Sequence, residues 1–185
     1  MKQISIFILL YFIVIATVCK AQFTETELNV IKDSIKLEIA DTSKSKWVKD
    51  ELIMMQKVLA KPDSLFPYSK FDSVIVYQYS RKGRFEPAEW NTIFREYIVS
   101  KNRLEATQVD TILKVVNNPL HFYWWECGTP FIECSILFFH KGKEIATIDC
   151  ACSGEQLFFK PNNILGRYGV LNEKGFLLFH NNLNK

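Results

Sequence analysis

The first part of the chain contains two segments in which apolar residues recur at helical spacing. Thr24 and Glu27 form a capping-box pattern, and apolar side chains then follow every three or four positions. This pattern predicts an amphipathic helix over residues 25–40. A polar break at residues 41–45 precedes a second apolar series that a proline ends, so a second helix is predicted over residues 46–60.

The middle of the chain alternates between strand-like and helix-like patterns. Residues 74–79 are rich in β-branched and aromatic side chains and end at a turn-like cluster, which predicts the first strand. Residues 88–100 carry large apolar side chains at helical intervals, which predicts a helix there. A further helix is predicted from Thr107, as its N-cap, to the Asn-Asn-Pro sequence at residues 117–119.

The last third combines a predicted hairpin with a closing helix. Two apolar segments flank the Lys-Gly pair at 141–142, which predicts a hairpin over about residues 131–150. Residues 157–159 predict another short strand, and residues 171–181 predict a helix that Gly175 weakens. Together the elements predict an α+β fold, with a small antiparallel sheet whose central hairpin is packed by N-terminal and C-terminal helices.

Two registers are open for the predicted hairpin. A two-residue loop would place Cys134 opposite Asp149 and mix polar and apolar residues on both faces. A three-residue loop over 140–142, with Gly142 in the left-handed conformation, would place the apolar residues on one face and the polar residues on the other. We favour the three-residue loop because burial of one face is what fixes register. The residues that it gathers on one face are Ile132, Cys134, Ile136, Phe138, Ala146, Ile148, Cys150 and Cys152.

The first 21 residues have the order of a secretory signal peptide. One lysine precedes an apolar run over residues 4–18, and cleavage after Ala21 would leave small residues at the positions that signal peptidase requires. The run is shorter than the roughly 20 residues that a membrane-spanning helix needs, so we expect no permanent transmembrane span. A lipid anchor on Cys19 is an alternative, which the bulky Val18 before it disfavours.

Export of this kind predicts a secreted or periplasmic protein with a single α+β domain over residues 22–185. Removal of residues 1–21 would leave 21 basic and 20 acidic side chains, and therefore a net charge of +1. No basic stripe stands out in the sequence. A near-neutral surface of this kind is not typical of a protein that binds nucleic acid.

All four cysteines outside the predicted signal peptide lie between residues 127 and 152. An oxidising compartment predicts disulfide bonds, and in the favoured register we expect them between Cys127 and Cys152 and between Cys134 and Cys150. A ring closed between Cys150 and Cys152 is left open, because such a strained bond is typical of redox-active pairs. No C-x-x-C sequence begins a helix, which speaks against redox chemistry.

Reduced cysteines would instead be candidate metal ligands, and zinc is the metal that they would favour. The usual spacings of zinc ligands are absent, so a structural role is the preferred interpretation. The four candidate ligands are Cys127, Cys134, Cys150 and Cys152. The supplementary candidates are His121, His140, Glu126 and Asp149.

No segment carries a recognisable catalytic or nucleotide-binding motif. The three histidines of the chain do not form a nucleophile motif with a serine or cysteine, and His180 is predicted to end a helix. Residues 162–169 contain glycines but form neither a P-loop nor a dinucleotide fingerprint. Carboxylate pairs such as Glu126 with Glu133 resemble solvated surface charge. We therefore predict no catalytic or cofactor-binding residue.

Residues 122–125 are four consecutive aromatic side chains, Phe-Tyr-Trp-Trp. They would line a groove for a protein, peptide or glycan ligand if they were exposed, because aromatic residues dominate binding at interfaces. The alternative is a strand in which alternate rings pack into the core. Exposure of Tyr123 and Trp125 would favour the groove.

Several residues together resemble a pattern found in small, exported bacterial proteins that have not been characterised. The pattern consists of the CxxP sequence at 127–130, the strand-turn-strand around 141–143 and the close pair Cys150 and Cys152. It covers about 30 residues, with an echo over 104–119. Those relatives more often carry C-x-x-C where this chain has C-x-C, and the resemblance implies no known activity.

The sequence thus favours a non-catalytic binding or interaction domain that is exported and stabilised by cysteines. The alternative is a metal-binding or thiol-redox protein that uses the four clustered cysteines. A hydrolase assembled from distant residues is a third hypothesis, which one sequence leaves open.

Overall fold

A computed structural model describes residues 23–61, 65–80, 97–123, 131–151, 154–163 and 166–183. This part of the chain contains four α-helices and one seven-stranded antiparallel sheet. The predicted α+β class is confirmed, although the sheet is larger than the small one expected. No helix among these residues is long and apolar enough to cross a membrane.

The first two helices pack against each other and share an apolar cluster of their own. Helix α1 is Glu25–Ala40 and helix α2 is Lys46–Leu59, which confirms both predictions. Thr24 caps α1 through the predicted capping box, with its backbone N–H donating to the Glu27 carboxylate at 2.7 Å. The side chains buried in this cluster are Ile31, Ile35, Leu52, Leu59 and Leu65.

The strands follow the order β2-β1-β4-β5-β6-β7-β3 across the sheet, so the β4–β5 hairpin lies at its middle. Every neighbouring pair is antiparallel. The strands are β1 Ser73–Tyr79, β2 Ile98–Arg103, β3 Phe122–Tyr123, β4 Ile132–His140, β5 Lys143–Ala151, β6 Gln156–Asn163 and β7 Gly166–Leu171.

Two more helices cover one face of this sheet. Helix α3 is Ala106–Val116 and helix α4 is Glu173–Leu183. Their buried side chains pack on alternate residues of the strands, because successive side chains of a strand point to opposite faces. Leu137, Ser135 and Thr147 are also buried, so the opposite face of the central strands is covered as well. The largest fully buried members of this core are Phe66, Phe138, Phe179, Ile112, Leu113, Ile136, Ile148 and Leu157.

The structure corrects three predicted element boundaries. Residues 98–100, predicted as the end of a helix, belong to β2, where β-branched Ile98 and Val99 suit a strand paired with β1. Residues 88–96 of that predicted helix lie outside the described residues. Helix α3 begins at Ala106, where the Glu105 N–H donates to the Gln108 side chain at 2.9 Å, and Thr107 is not its cap.

The start of the last helix is also corrected. Leu171 is the last residue of β7, a strand that the glycine-rich sequence at 162–169 concealed. Helix α4 starts after Asn172, whose side-chain oxygen accepts the Gly175 N–H at 2.9 Å. Gly175 is placed by close packing: a Cβ there would lie 2.6 Å from the His121 carbonyl oxygen. The glycine therefore lets α4 approach the turn that precedes β3.

Asn117 ties the end of α3 to the segment that enters the sheet. Its side-chain oxygen accepts the Phe66 N–H at 2.8 Å, and its side-chain nitrogen donates to the Phe66 carbonyl at 2.9 Å. Asn117 is fully buried, and the Phe66 ring packs edge-on against Phe138 and Phe159, with centroids 5.6 Å away in each case. The amide therefore satisfies two backbone groups inside the aromatic core.

We expect Asn117→Ala to destabilise the fold strongly. The substitution leaves the Phe66 N–H and C=O unpaired in the core, which should lower the free energy of unfolding by about 3 kcal/mol. Urea titration followed by circular dichroism measures this loss. Asn181→Ala, at an exposed position of α4, is the matched control and should change the free energy of unfolding by less than about 0.5 kcal/mol.

Candidate functional site

The β4–β5 hairpin turns through two residues and then contains a β-bulge. Lys141 and Gly142 both have positive φ, 51° and 77°, as the two central residues of a type I′ hairpin turn do. Beyond the turn, Phe139 pairs with Glu144 and Phe138 pairs with Ala146. Ile145 therefore has no partner on β4 and is the extra residue of a β-bulge. The pairing therefore matches neither of the registers predicted from the sequence.

This pairing places Cys134 directly opposite Cys150. The turn has two residues, as in the disfavoured register, but the bulge restores the separation of polar and apolar faces that the favoured one predicted. Ile132 is the exception, since it pairs with Ala151 and packs on the other face. The residues that share the helix-covered face are Cys134, Ile136, Phe138, Ala146, Ile148 and Cys150.

The two thiols are free and differ in exposure. Cys150 is fully buried, whereas Cys134 is partly exposed. Burial and the neighbouring Cys134 thiol raise the pKa of the Cys150 thiol well above its ordinary value. Cys150 therefore stays protonated at neutral pH and is a poor nucleophile. The predicted disulfide between Cys134 and Cys150 stays a prediction, and Cys127 and Cys152 lie outside the described residues.

A pocket of about 230 Å³ opens above this cysteine pair, between the strands and the C-terminal end of α4. Its apolar lining comes from Val76, Val99 and Leu183 together with the two cysteines, and its polar lining includes Gln78, Glu133 and His180. Pockets for drug-sized ligands have about 300–1,000 Å³. A volume somewhat below that range suits a group of the size of one amino-acid side chain.

Two further β-bulges lie at the rim of this pocket. Glu133 is an extra residue on β4, because Ile132 pairs with Ala151 and Cys134 with the next residue back on β5. Val99 is an extra residue on β2, where the register shifts between the last two residues of β1. Bulges redirect side chains and are common beside functional sites. Both extra residues line the pocket.

His180 and Gln78 were not identified from the sequence as site residues. His180 was interpreted as the end of a helix, and the structure places its ring against Phe176, stacked at 5.2 Å, and in the pocket lining. Gln78 accepts a hydrogen bond from the Ser100 hydroxyl at 2.8 Å. Because these side chains come from separate strands and a helix, no local sequence motif could have connected them.

The supplementary metal ligands that the structure describes do not converge on the cysteine pair. His121 is buried beside α4, and burial lowers the pKa of its imidazole. His140 lies 3.6 Å from the Asp72 carboxylate, near the hairpin turn. Within the described residues no three His, Cys, Asp or Glu side chains are grouped closely enough to hold a metal ion. Glu126 falls outside the residues that the structure describes.

A buried chain of hydrogen bonds occupies the other face of the sheet. Ser135 lies opposite Asp149, next to the cysteine pair in the same ladder. The Ser135 hydroxyl donates to the Asp149 carboxylate at 2.5 Å and accepts from the Tyr79 hydroxyl at 3.0 Å. Burial raises the pKa of Asp149 to about 7, although the hydrogen bond from Ser135 lowers it. Asp149 therefore keeps its proton to a much higher pH than an exposed aspartate does.

The aromatic run is only partly described. Phe122 is buried and belongs to the core, whereas Tyr123 is 50% exposed. This alternation is what a strand with one covered face produces. Trp124 and Trp125 lie outside the described residues, so the predicted aromatic groove stays a prediction.

We expect Asp149 to make stability depend on pH. Because its folded-state pKa is raised, the folded state holds this proton more tightly than the unfolded chain does. Its contribution is therefore complete below about pH 4 and is lost as pH rises towards pH 7. The rise in the pKa of Asp149 from 3.8 to about 7 corresponds to a change of about 4 kcal/mol in the free energy of unfolding. Asp149→Asn should remove most of this pH dependence.

Urea denaturation at pH 4 and at pH 8 measures the effect. The free energy of unfolding of Asp149→Asn minus that of the unmodified protein should be larger at pH 8 than at pH 4, by up to about 4 kcal/mol. Asp50→Asn, at an exposed position of α2, controls for the loss of one carboxylate. An equal pH dependence in the unmodified protein and in Asp149→Asn would contradict the assignment.

Comparison of the chain with protein-family models, with curated proteins and with solved structures found no match. The likeness to small exported bacterial proteins stays an expectation from the sequence. What the protein does is therefore inferred from its own residues.

Proposed function

We propose that the protein is an exported, non-catalytic binding domain whose ligand site is the pocket above Cys134 and Cys150. The observation that carries the proposal is the construction of this pocket, with an apolar floor and polar side chains from β1, β4 and α4. Apolar pockets with a few convergent polar groups are the usual form of small-ligand sites. A side chain of a partner protein or peptide, or a small molecule, has the matching size.

The chemistry of the reactive groups favours binding over catalysis. In the reduced protein, burial keeps the Cys150 thiol protonated, so Cys150 is a poor nucleophile. A bridge between Cys134 and Cys150 would remove both thiols from the floor of the pocket. The buried carboxyl of Asp149 and the Ser135 hydroxyl face the opposite side of the sheet. A nucleophile and a general base would need to share one site and lie within hydrogen-bond reach of each other.

Export is the second part of the proposal, and it rests on the sequence of residues 1–21. A secreted or periplasmic location would expose the cysteines to oxidation, so Cys134 and Cys150 would form a structural bridge under the pocket. Their direct opposition supports this pairing, because cross-strand Cα atoms lie about 4.5–5.5 Å apart and a disulfide needs less than about 7 Å. Lipidation of Cys19 would instead anchor the domain to a membrane.

Ligand binding at the pocket is testable by NMR. We expect at least one of a set of N-acetyl amino-acid amides, with apolar, acidic and basic side chains, to shift backbone amide resonances of pocket residues in a saturable way. Val99→Trp, at a 65% exposed rim position, should fill the pocket and abolish these shifts without a lower melting temperature.

Leu177→Trp is the matched control, since Leu177 is 51% exposed on α4 and does not line the pocket. It should leave the titration unchanged. The binding proposal is overturned if none of the amides shifts pocket resonances, or if Val99→Trp binds as well as the unmodified protein does.

A thiol or metal protein is the second candidate, and the opposed pair Cys134 and Cys150 is the observation that favours it. Two thiolates at the bottom of an accessible pocket are suitable ligands for a soft metal. The other two cysteines, Cys127 and Cys152, would have to complete such a site. Redox chemistry would require at least one thiol with a lowered pKa, and burial excludes Cys150 from that role.

Mass spectrometry of the protein exported by a Gram-negative host separates the two candidates. For the binding domain we expect a chain that begins at Gln22, no free thiol, no bound metal, and peptides that contain the Cys134–Cys150 bridge. Two or more free thiols, or one zinc ion per chain, would favour the second candidate. A lipid-modified peptide that begins at Cys19 would identify the anchored form.

A further inference from the structure

We propose that the pocket selects a cationic ligand, an alkylammonium group such as a primary amine or a lysine-type side chain, through the Glu133 carboxylate. This inference rests on the proposed function, since it assigns a ligand class to the same pocket. The alkyl part would contact the apolar floor, and the ammonium group would pair with Glu133 at the rim.

The placement of Glu133 is the first observation that supports this. It is the extra residue of a β-bulge, and its neighbours in the strand, Ile132 and Cys134, pack on opposite faces of the sheet. A regular strand would continue the alternation of faces without interruption. The bulge instead inserts Glu133 as a residue outside that alternation, and Glu133 lines the pocket.

The charges around the pocket are the second observation. The Glu133 side chain makes no hydrogen bond or ion pair with any described residue. The described residues that line the pocket include no lysine and no arginine. One carboxylate thus faces an apolar pocket, and the only basic side chain among the described lining residues is that of His180. A cationic ligand would find an attractive partner in Glu133, and an anionic ligand would meet a repulsive charge.

The dimensions fit the same ligand class. A four-carbon chain with a terminal ammonium has the size of one long side chain, which suits a volume of about 230 Å³. Its alkyl carbons would contact Val76 and Cys134, which are apolar. The Gln78 amide, held by Ser100 at 2.8 Å, is a polar contact for the atoms that lead out of the pocket.

Three ligands of the same shape and different charge test the inference. We would titrate ¹⁵N-labelled mature protein with n-butylammonium chloride, n-butanol and sodium butyrate at constant ionic strength. A charge-assisted hydrogen bond is worth about 1.5–3 kcal/mol, so n-butylammonium should bind about tenfold more tightly than n-butanol. Butyrate should bind more weakly than either.

Glu133→Gln keeps the shape of the side chain and removes its charge. It should weaken n-butylammonium binding about tenfold and leave n-butanol binding unchanged. Glu51→Gln in α2 is the matched control for the change in net charge and should alter neither affinity. Equal melting temperatures of the three proteins verify that the fold is retained.

The possible outcomes separate a failure of the cationic preference from a failure of the binding function. If n-butanol shifts the pocket resonances with an affinity equal to that of n-butylammonium, or if Glu133→Gln has no effect, the cationic preference is overturned while the pocket stays a binding site. If none of the three ligands shifts pocket resonances and the amides also fail, both the ligand class and the binding function are overturned.

Discussion

The pairing of β4 with β5 is the constraint on which both groups of reactive side chains depend. Cys134 with Cys150, and Ser135 with Asp149, are consecutive cross-strand pairs of one ladder. Because side chains alternate between faces, one pair faces the helices and the other faces away. A slip of one residue would place Cys134 opposite Asp149. It would separate the cysteines and break the hydrogen bond from Ser135 at the same time.

Both faces of the ladder contribute to this choice of register. On the helix-covered side, Ile136 and Ile148 are fully buried, and a slip of one residue would move the side chains of one strand out of this packing and onto the opposite face. On the other side, burial of Asp149 costs free energy that the Ser135 hydroxyl partly offsets. In a slipped register Asp149 would lose this donor, and the polar chain therefore disfavours the alternative pairing.

Much of the fold could be predicted from local patterns, and the exceptions have physical reasons. Helices α1 and α2 follow from apolar periodicity, and the capping box at Thr24 defines one boundary to the residue. Strand β7 was missed because its glycines interrupt the apolar alternation, and they are placed by packing: a Cβ on Gly169 would lie 2.6 Å from the Phe122 ring. Such a close approach between distant segments leaves no local signal.

The pocket was not predictable in the same way, although the sequence does contain a signal for the β-bulge next to the hairpin turn. The Lys-Gly pair at 141–142 suits a two-residue turn, whereas the separation of polar and apolar residues requires the two strands to be offset by one residue more. Both requirements are met only if one strand carries an inserted residue, which the structure places at Ile145. Glu133 gives no comparable signal, because a single carboxylate between Ile132 and Cys134 reads as the outward residue of a regular strand. The place of Glu133 in the pocket depends on where β2 and α4 pack against the sheet. That packing consists of long-range contacts, which leave no local pattern in the sequence.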